Sequence, residues 1–336
     1  MNNVDSKQVK GINVHDELIK TIRTAITEKD DLSKSEKERI ASVLADILCL
    51  GKESVYRRLR GEVRFSFEEV ALISQALNFS IDNIVGAQSD EKAIFELNRT
   101  DAYQINTDYK KRLEEYIKLV RKVNKYPDSK LKCAFNNLPL FFYLHYDNLS
   151  KFRLFKWAYQ IKRIPLLPFK DFIIDRDIIS AQKIFITELK KIKHSGIIIS
   201  QDIFSALIRE INYFFNLNLL DDEDMNTLKG ELLYLLEEME LQSISGTYGN
   251  NTEIYLYLSN VNIEASYILI GNNNRYHSHL ELYGINGISS LDKNVCNAHN
   301  EWIESLKRYS TLITFGGEMQ RHKFFQEQRK IVNSLT

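Results

Sequence analysis

The chain has 336 residues, of which 44% are hydrophobic and 27% charged, a composition typical of a globular protein with room for two domains. Its 45 basic and 45 acidic residues cancel, so the overall charge does not indicate binding to nucleic acid. No apolar run approaches the roughly eighteen residues of a membrane-spanning helix, and the polar N-terminus is unlike a signal peptide. The cysteines Cys49, Cys133 and Cys296 are far apart and odd in number, which argues against a disulfide framework. We therefore expect a cytoplasmic protein that does not bind a membrane.

The N-terminal sequence predicts a bundle of short helices over residues 15–86. After a first helix, Leu44 and Leu48 lie four residues apart on one face of a second, and Val55 and Leu59 repeat that spacing on a third. A tight turn separates the second and third helices, which is the arrangement of a helix-turn-helix. A glycine follows the third helix, in the position where a left-handed residue commonly ends a helix.

The solvent face of this third helix carries the residues that we predict to bind double-stranded DNA. Between Gly51 and Arg64 the sequence has five basic and two acidic residues, and an outward helix with this charge suits the major groove. The predicted DNA-binding residues are Lys52, Glu53, Ser54, Tyr56, Arg57, Arg58, Arg60 and Arg64. Lys52, Glu53, Tyr56 and Arg57 are expected to face base edges, with Arg57 pairing with guanine and Glu53 with cytosine. The last three arginines of the set are expected to contact phosphates.

The same region resembles the XRE/Cro-type helix-turn-helix of bacterial regulators and phage repressors. The matching features are Leu44-Ala45, the turn Cys49-Leu50-Gly51, the inward Val55, the stop at Arg60-Gly61, and Ser66-Phe67-Glu68-Glu69, which has the spacing of a capping box. Residues 56–62 and 66–69, with Gly316-Gly317-Glu318 near the C-terminus, also look like regulators of the Bacteroidetes. The resemblance implies a transcription regulator that binds DNA as a homodimer, on two half-sites about one helical turn apart.

Three positions depart from that family. Cys49 stands in the turn where the family usually has glycine, and Ala41 stands where a glutamine that contacts DNA is common. Arg58 occupies a position that is frequently apolar, and Leu59 is expected to take its place in the core. These departures affect the expected crossing angle of the two helices and the identity of the bases contacted. They leave the class of motif, a helix-turn-helix, unchanged.

Residues 87–92 have no apolar pattern and are predicted to link the bundle to a second domain, 93–336, which would regulate or dimerise. Leucines and isoleucines recur at helical spacing over 109–126, 177–193, 201–216 and 222–243. The acidic residues from Asp221 to Asp224 are expected to cap the last of these helices rather than to act in catalysis. The aromatic run 141–159 predicts a buried helix pair, with an aromatic ligand pocket as the alternative.

The pattern changes after the last of these helices. Three β-branched and aromatic runs, 252–258, 265–270 and 279–283, predict a small antiparallel sheet, with turn-forming glycine and asparagine in the connections. Two helices, 294–309 and 317–333, then close the chain. The expected fold is therefore mainly α: a helix-turn-helix bundle, a helical middle region, and a small antiparallel β-sheet with flanking helices near the C-terminus.

The sequence offers little for catalysis or cofactor binding. His277 and His279 would place two imidazoles on one face of a strand, which can chelate a metal, although surface hairpins often carry histidine. Cys133 and Cys296 are candidate redox sensors, but a free cysteine is commonly a small buried hydrophobe. The GxSxG, P-loop, GxGxxG and HExxH motifs are missing from the sequence. We therefore expect no enzyme activity, no cofactor and no metal.

Two alternatives to a simple DNA-binding regulator remain open. In one, the second domain binds a peptide or small apolar molecule as an effector, and the aromatic run 141–159 is the reason to consider it. In the other, the helix-turn-helix is a protein-interaction scaffold that binds no DNA. The salt dependence of binding to duplex DNA distinguishes the two. A DNA-binding protein should bind more weakly as the salt concentration rises, because binding releases counterions from DNA, whereas binding by a scaffold should be negligible.

Overall fold

The computed structural model of the protein describes residues 14–26, 34–77, 79–81, 84, 93–101, 105–161, 167–249, 251–273, 275–282 and 284–335. The chain divides into two units, Met1–Ile94 and Phe95–Thr336, which we call unit 1 and unit 2. The linker expected at 87–92 lies outside the described residues.

Unit 1 is a helical bundle in which four helices are described. They are α1 (Val14–Ile26), α2 (Lys34–Leu48), α3 (Lys52–Leu59) and α4 (Phe67–Leu77). Their apolar stripes meet in one core, because each helix buries the face on which apolar residues recur. The buried members of that core are Leu18, Ile22, Ile40, Ala41, Leu44, Ala45, Val55, Ile73 and Ile84. The predicted helix pair is confirmed as α2 and α3, although α2 begins earlier than expected, so that Ala41 lies near its middle.

Unit 2 is built around a mixed sheet in which eight strands are described. They are β1 (Glu96–Asn98), β2 (Lys130–Phe135), β3 (His194–Ile199), β4 (Glu253–Ser259), β5 (Tyr267–Gly271), β6 (Tyr276–Leu282), β7 (Asn286–Ser290) and β8 (Ser310–Leu312). Their order across the sheet is β1-β7-β6-β5-β2-β3-β4-β8. β2, β3 and β4 run parallel to one another, and the other neighbouring pairs are antiparallel.

The predicted fold, mainly α with a small antiparallel sheet, is wrong, because this mixed sheet makes the fold α/β. Of the predicted strands, β4 pairs in parallel with β3 and is not a neighbour of β5. β2 and β3, with the sequences KLKCAF and HSGIII, lie in the region expected to be helical. In the second halves of both strands, residues 133–135 and 197–199, every residue is buried, so apolar residues do not alternate with polar ones there. A short continuous apolar run does not distinguish a strand from a buried helix.

Helices cover both faces of the sheet, but unequally. They are α5 (Ile105–Val123), α6 (Leu140–Tyr143), α7 (Asp147–Ile161), α8 (Arg176–Leu189), α9 (Ser205–Asn216), α10 (Asp222–Ser245), α11 (Lys293–Arg308) and α12 (Glu318–Asn333). Helix α11 covers one face, and the other helices contribute to a larger core on the opposite face. Neighbouring strand residues point to opposite faces, so Cys133 belongs to the larger core and Ala134 to the core under α11.

Two local expectations for unit 2 are confirmed. The aromatic run forms the predicted buried helix pair, α6 and α7. Its buried aromatic side chains include Phe141, Phe142, Phe152, Phe155 and Trp157. Asp221 caps α10 in a reciprocal capping box with Asp224. None of the described helices combines the length and the apolar character needed to cross a bilayer.

Candidate nucleic-acid interface

The position of α3 is set by its packing on α2. Val55 is fully buried in their shared core, and Ala45 is small enough to let the two helices approach closely. In the turn, the Leu50 amide donates to the Ala45 carbonyl oxygen at 3.1 Å. Cys49 adopts a φ of 52°, in the left-handed region where a Cβ atom is strained. This conformation explains why glycine is usual at that position in the family the sequence resembles.

Helix α3 ends at Leu59, and Gly61 follows it as the predicted left-handed residue. Gly61 has a φ of 76°, and its amide donates to the Arg58 carbonyl oxygen at 3.0 Å. The Glu62 amide donates to the Arg57 carbonyl oxygen at 2.9 Å, which completes a Schellman motif. At the other end, Gly51 is the N-cap and no side chain caps the first turn. The last turn is therefore held by its own backbone, while the first turn has no side-chain cap.

The predicted capping box is present at the start of α4. The Glu69 amide donates to Ser66 Oγ at 3.2 Å, and the Ser66 amide donates to Glu69 Oε2 at 3.0 Å. The same carboxylate binds Arg58 with both oxygens, through Nε at 3.0 Å and Nη2 at 2.8 Å. The two side chains are only 17% and 18% exposed, and hydrogen bonding to Arg58 lowers the pKa of Glu69. Arg58 thus joins α3 to α4 inside unit 1.

The other predicted DNA-binding residues differ in their exposure. The exposed side chains are Lys52, Glu53, Arg57, Arg60 and Arg64, and the half-buried ones are Ser54 and Tyr56. Tyr56 and Leu59 pack against the core of unit 1, and for Leu59 this is the expected role. Helix α3 therefore presents a charged face to solvent and an apolar face to the bundle.

Acidic side chains lie close to the exposed arginines. Arg60 donates from Nε to Glu62 Oε1 at 2.6 Å, and its Nη2 lies 3.4 Å from Glu53 Oε1. Glu62 Oε2 is also 3.6 Å from Nε of Arg57. The hydrogen bond between Arg60 and Glu62 lowers the pKa of the carboxyl group and raises the pKa of the guanidinium group. All four side chains are about half exposed or more, so solvent screens these pairs and they can rearrange.

Two cations of this face have no acidic partner among the residues that the structure describes. Lys52 and Arg64 form no ion pair with a residue that the structure describes. Their positive charge is therefore available to an approaching anion. Sequence reasoning missed the role of Glu62 in holding the arginines, although its place two residues after Arg60 was a visible sign of it.

Two other sites were considered from the sequence, a metal site at the paired histidines and redox sensors at two cysteines. His277 and His279 lie on one face of β6, as predicted, and burial lowers the pKa of each to about 4. Within the described ranges, no group of three or more potential metal ligands is present. Cys133 and Cys296 are buried, and burial raises the pKa of both thiols, which disfavours the reactive thiolate.

Comparison with known proteins finds no match to the chain among family models, curated proteins or solved structures. The function is therefore inferred from the residues themselves and from the geometry of unit 1.

Proposed function

We propose that the protein is a sequence-specific, DNA-binding transcription regulator that reads the major groove of double-stranded DNA with α3. The observation that supports this most is the solvent face of α3, where Lys52, Glu53 and Arg57 project from a helix packed on α2. An exposed helix held by a crossing helix fits the major groove, and its charged side chains can reach base edges and phosphates. The resemblance to XRE/Cro-type domains supports the same function.

Base edges are read by the outermost side chains of α3 in this proposal. Arg57 donates to the O6 and N7 atoms of a guanine, and Glu53 accepts from the amino group of a cytosine. Ser54 and Tyr56 lie beside them, half-buried, at the edge of this face. They complete the surface that meets the groove.

Phosphates are held by the cations around this face. Arg64 binds phosphates and positions the helix without reading sequence, and Lys52, at the first position of α3, moves from the base-reading set to this one. Arg60 joins them, because its exposed acidic partners can give way to a phosphate. Arg58 is left out of the phosphate-binding set, since Glu69 occupies its guanidinium group.

A homodimer is part of the proposal. One helix-turn-helix makes few base contacts, so two copies are needed for specific binding. They would occupy two half-sites about 34 Å apart, one turn of the DNA helix. Unit 2 would then supply the contact between the two copies.

The salt dependence of DNA binding tests this proposal. The logarithm of the association constant should fall linearly with the logarithm of salt concentration, with a slope of about 0.9 per phosphate contacted. The full chain should show a steep slope on random duplex DNA, and Lys52→Ala and Arg64→Ala should each reduce it by about one unit. Arg23→Ala, on α1, is the matched control and should leave the slope unchanged. Negligible or salt-insensitive binding would favour the protein-interaction scaffold.

A further inference from the structure

Unit 2 contains a cavity of about 90 Å³ on the face of its sheet that most helices cover. The cavity lies between α5 and the strands β5 and β6, and α6, α7 and α8 contribute to its wall. The apolar part of the wall includes Leu113, Val120, Leu131, Leu144, Ile268 and Ile270. A cavity of comparable size with a wholly apolar wall stays dry and binds apolar molecules. What this cavity can bind therefore depends on the polar groups in its wall.

Polar groups reach the cavity from two sides. Side chains on a strand alternate between faces, so His277, His279 and Glu281 of β6 all line the cavity under α5. Arg112 of α5, only 9% exposed, and Arg153 of α7 also line it. The cavity therefore holds two guanidinium groups and one carboxyl group within a mainly apolar wall.

Among the described residues, neither arginine has a carboxylate within ion-pair distance, although Glu281 lies near enough to Arg153 for their charges to interact. Arg112 Nη1 is buried and makes no hydrogen bond within the described part of the chain. Neither arginine forms an ion pair there, and Arg153 instead donates to the Tyr109 hydroxyl at 3.3 Å and to the Gly284 carbonyl oxygen at 3.5 Å. A buried guanidinium without an anion is uncommon, because removing a charge from water costs free energy that only a partner restores.

Glu281 does not supply that anion. Its Oε1 atom is itself buried without a hydrogen-bond partner among the described residues, and burial raises the pKa of its carboxyl group. His277 and His279, whose pKa values burial lowers to about 4, are neutral at neutral pH. In either protonation state of Glu281, the two positive charges of the arginines exceed the negative charge in the cavity.

We propose that this cavity binds a small organic monoanion, a monocarboxylate with a short apolar body, through Arg112 and Arg153. The planar guanidinium group presents paired donors that match the two oxygens of a carboxylate. The wall accommodates the hydrocarbon part. Because a cavity of about 150 Å³ holds the six carbon atoms of benzene, one of about 90 Å³ holds about four. Butyrate is the matching probe, because its propyl chain and carboxyl carbon make four and its two oxygens meet the guanidinium groups in the wall.

Butyrate binding to the full chain, measured by calorimetry and by the midpoint of thermal unfolding, tests this site. Butyrate should bind and raise the midpoint. Butyramide, which lacks the charge, and butylamine, which has the opposite charge, should do neither. Arg112→Met should weaken butyrate binding at least about 30-fold, because it removes the charged partner. Arg121→Met, an exposed position on the same helix, is the matched control and should bind butyrate as the wild type does.

Arg112→Met is expected to fold, because replacing a buried charge with an apolar side chain of similar length is often neutral or stabilising. Arg153→Met is the second variant and should weaken butyrate binding by about tenfold. The site is disproved if butyrate and butyramide bind alike, if neither binds, or if both arginine variants keep wild-type affinity. The cavity lies wholly in unit 2 and these measurements contain no DNA, so their outcome is independent of the proposed DNA binding.

Discussion

Arg57 projects from the solvent face of α3, where it forms an exposed ion pair with Glu62 at 3.6 Å. Replacing Arg57 with alanine should leave the fold intact and remove one base contact. We expect Arg57→Ala to weaken binding to the preferred DNA site by roughly 1–3 kcal/mol and to relax the preference at one base pair. Competition binding with single-base variants of the site measures both effects.

The control for Arg57 is Arg23→Ala, which makes the same change on α1, a helix that is not proposed to read DNA. This variant should keep the affinity and the base preference of the wild type. If Arg57→Ala kept them too, the assignment of Arg57 to a base would be wrong.

Glu62 holds two arginines of the proposed DNA face, Arg57 and Arg60, in exposed ion pairs. Glu62→Gln removes a charge that repels phosphates, frees the Arg57 guanidinium and leaves Arg60 with Glu53 as its one acidic partner among the described residues. We expect binding to every duplex sequence to tighten severalfold and to depend more steeply on salt. Titration of random duplex DNA measures this, with Glu17→Gln, which breaks an exposed pair with Lys20 on α1, as the control. Unchanged or weaker binding by Glu62→Gln would show that these arginines do not face DNA.

Cys49 occupies a left-handed conformation with a φ of 52°. A side chain there costs about 1–2 kcal/mol, whereas glycine avoids this strain and loses about 0.5–1 kcal/mol more in chain entropy. We therefore expect Cys49→Gly to stabilise unit 1 by up to about 1.5 kcal/mol, measured as slower amide hydrogen exchange in α2 and α3. Cys49→Ser keeps a side chain of similar size and should leave exchange unchanged. Faster exchange in Cys49→Gly would count against strain at this turn.

At the scale of elements, the junction of α3 and α4 depends on Glu69, which caps α4 and binds Arg58. Glu69→Gln retains a side chain that can complete the capping box but loses the charge that Arg58 needs. We expect the free energy of local opening to fall by about 1–3 kcal/mol, because Arg58 is left partly buried without its partner. Hydrogen exchange of the α3 and α4 amides measures this, with Glu68→Gln in the same turn as the control. Wild-type exchange in Glu69→Gln would show that the pair does not hold the junction.

The same ion pair makes the junction sensitive to acid. Because Arg58 lowers the pKa of Glu69 below its usual 4.5, the folded unit binds this proton less readily than the unfolded chain does. The stabilisation is therefore complete above about pH 4.5 and is lost as the pH falls through the lowered pKa. Acidification should reduce the opening free energy of α3 and α4 more in the wild type than in Glu69→Gln.

Elements set by local rules were predictable from the sequence, and those set by distant pairing were not. The α2–α3 pair, the capping box at Ser66 and the stop at Gly61 each depend on residues within one or two turns. β2 and β3 escaped prediction, because their second halves, residues 133–135 and 197–199, are buried on both faces and show no alternation. The parallel pairing that joins Ser195 to Ile254 depends on chain folding between them, which no local pattern records.

At the scale of the whole molecule, the two candidate sites differ in how far sequence reasoning could find them. The proposed DNA face is carried by α3, an eight-residue helix, and the adjoining loop, so its spacing and charge could be read directly from the sequence. Arg58 was the exception, because its partner Glu69 lies eleven residues away. The cavity of unit 2 brings Arg112, Arg153 and Glu281 together from two helices and a strand. Its one local sign was the alternate histidines of β6, which were considered as a metal-binding pair although no metal was expected.

Selection of bound duplexes from a random pool tests most directly whether α3 reads DNA sequence. The full chain would be used at near-physiological salt, with Arg57→Ala selected in parallel. We predict enrichment of a motif with two half-sites about one helical turn apart, and loss of preference at one base pair of each half-site in the Arg57→Ala pool. A wild-type pool that stays random would contradict the proposal that this protein is a sequence-specific DNA-binding regulator.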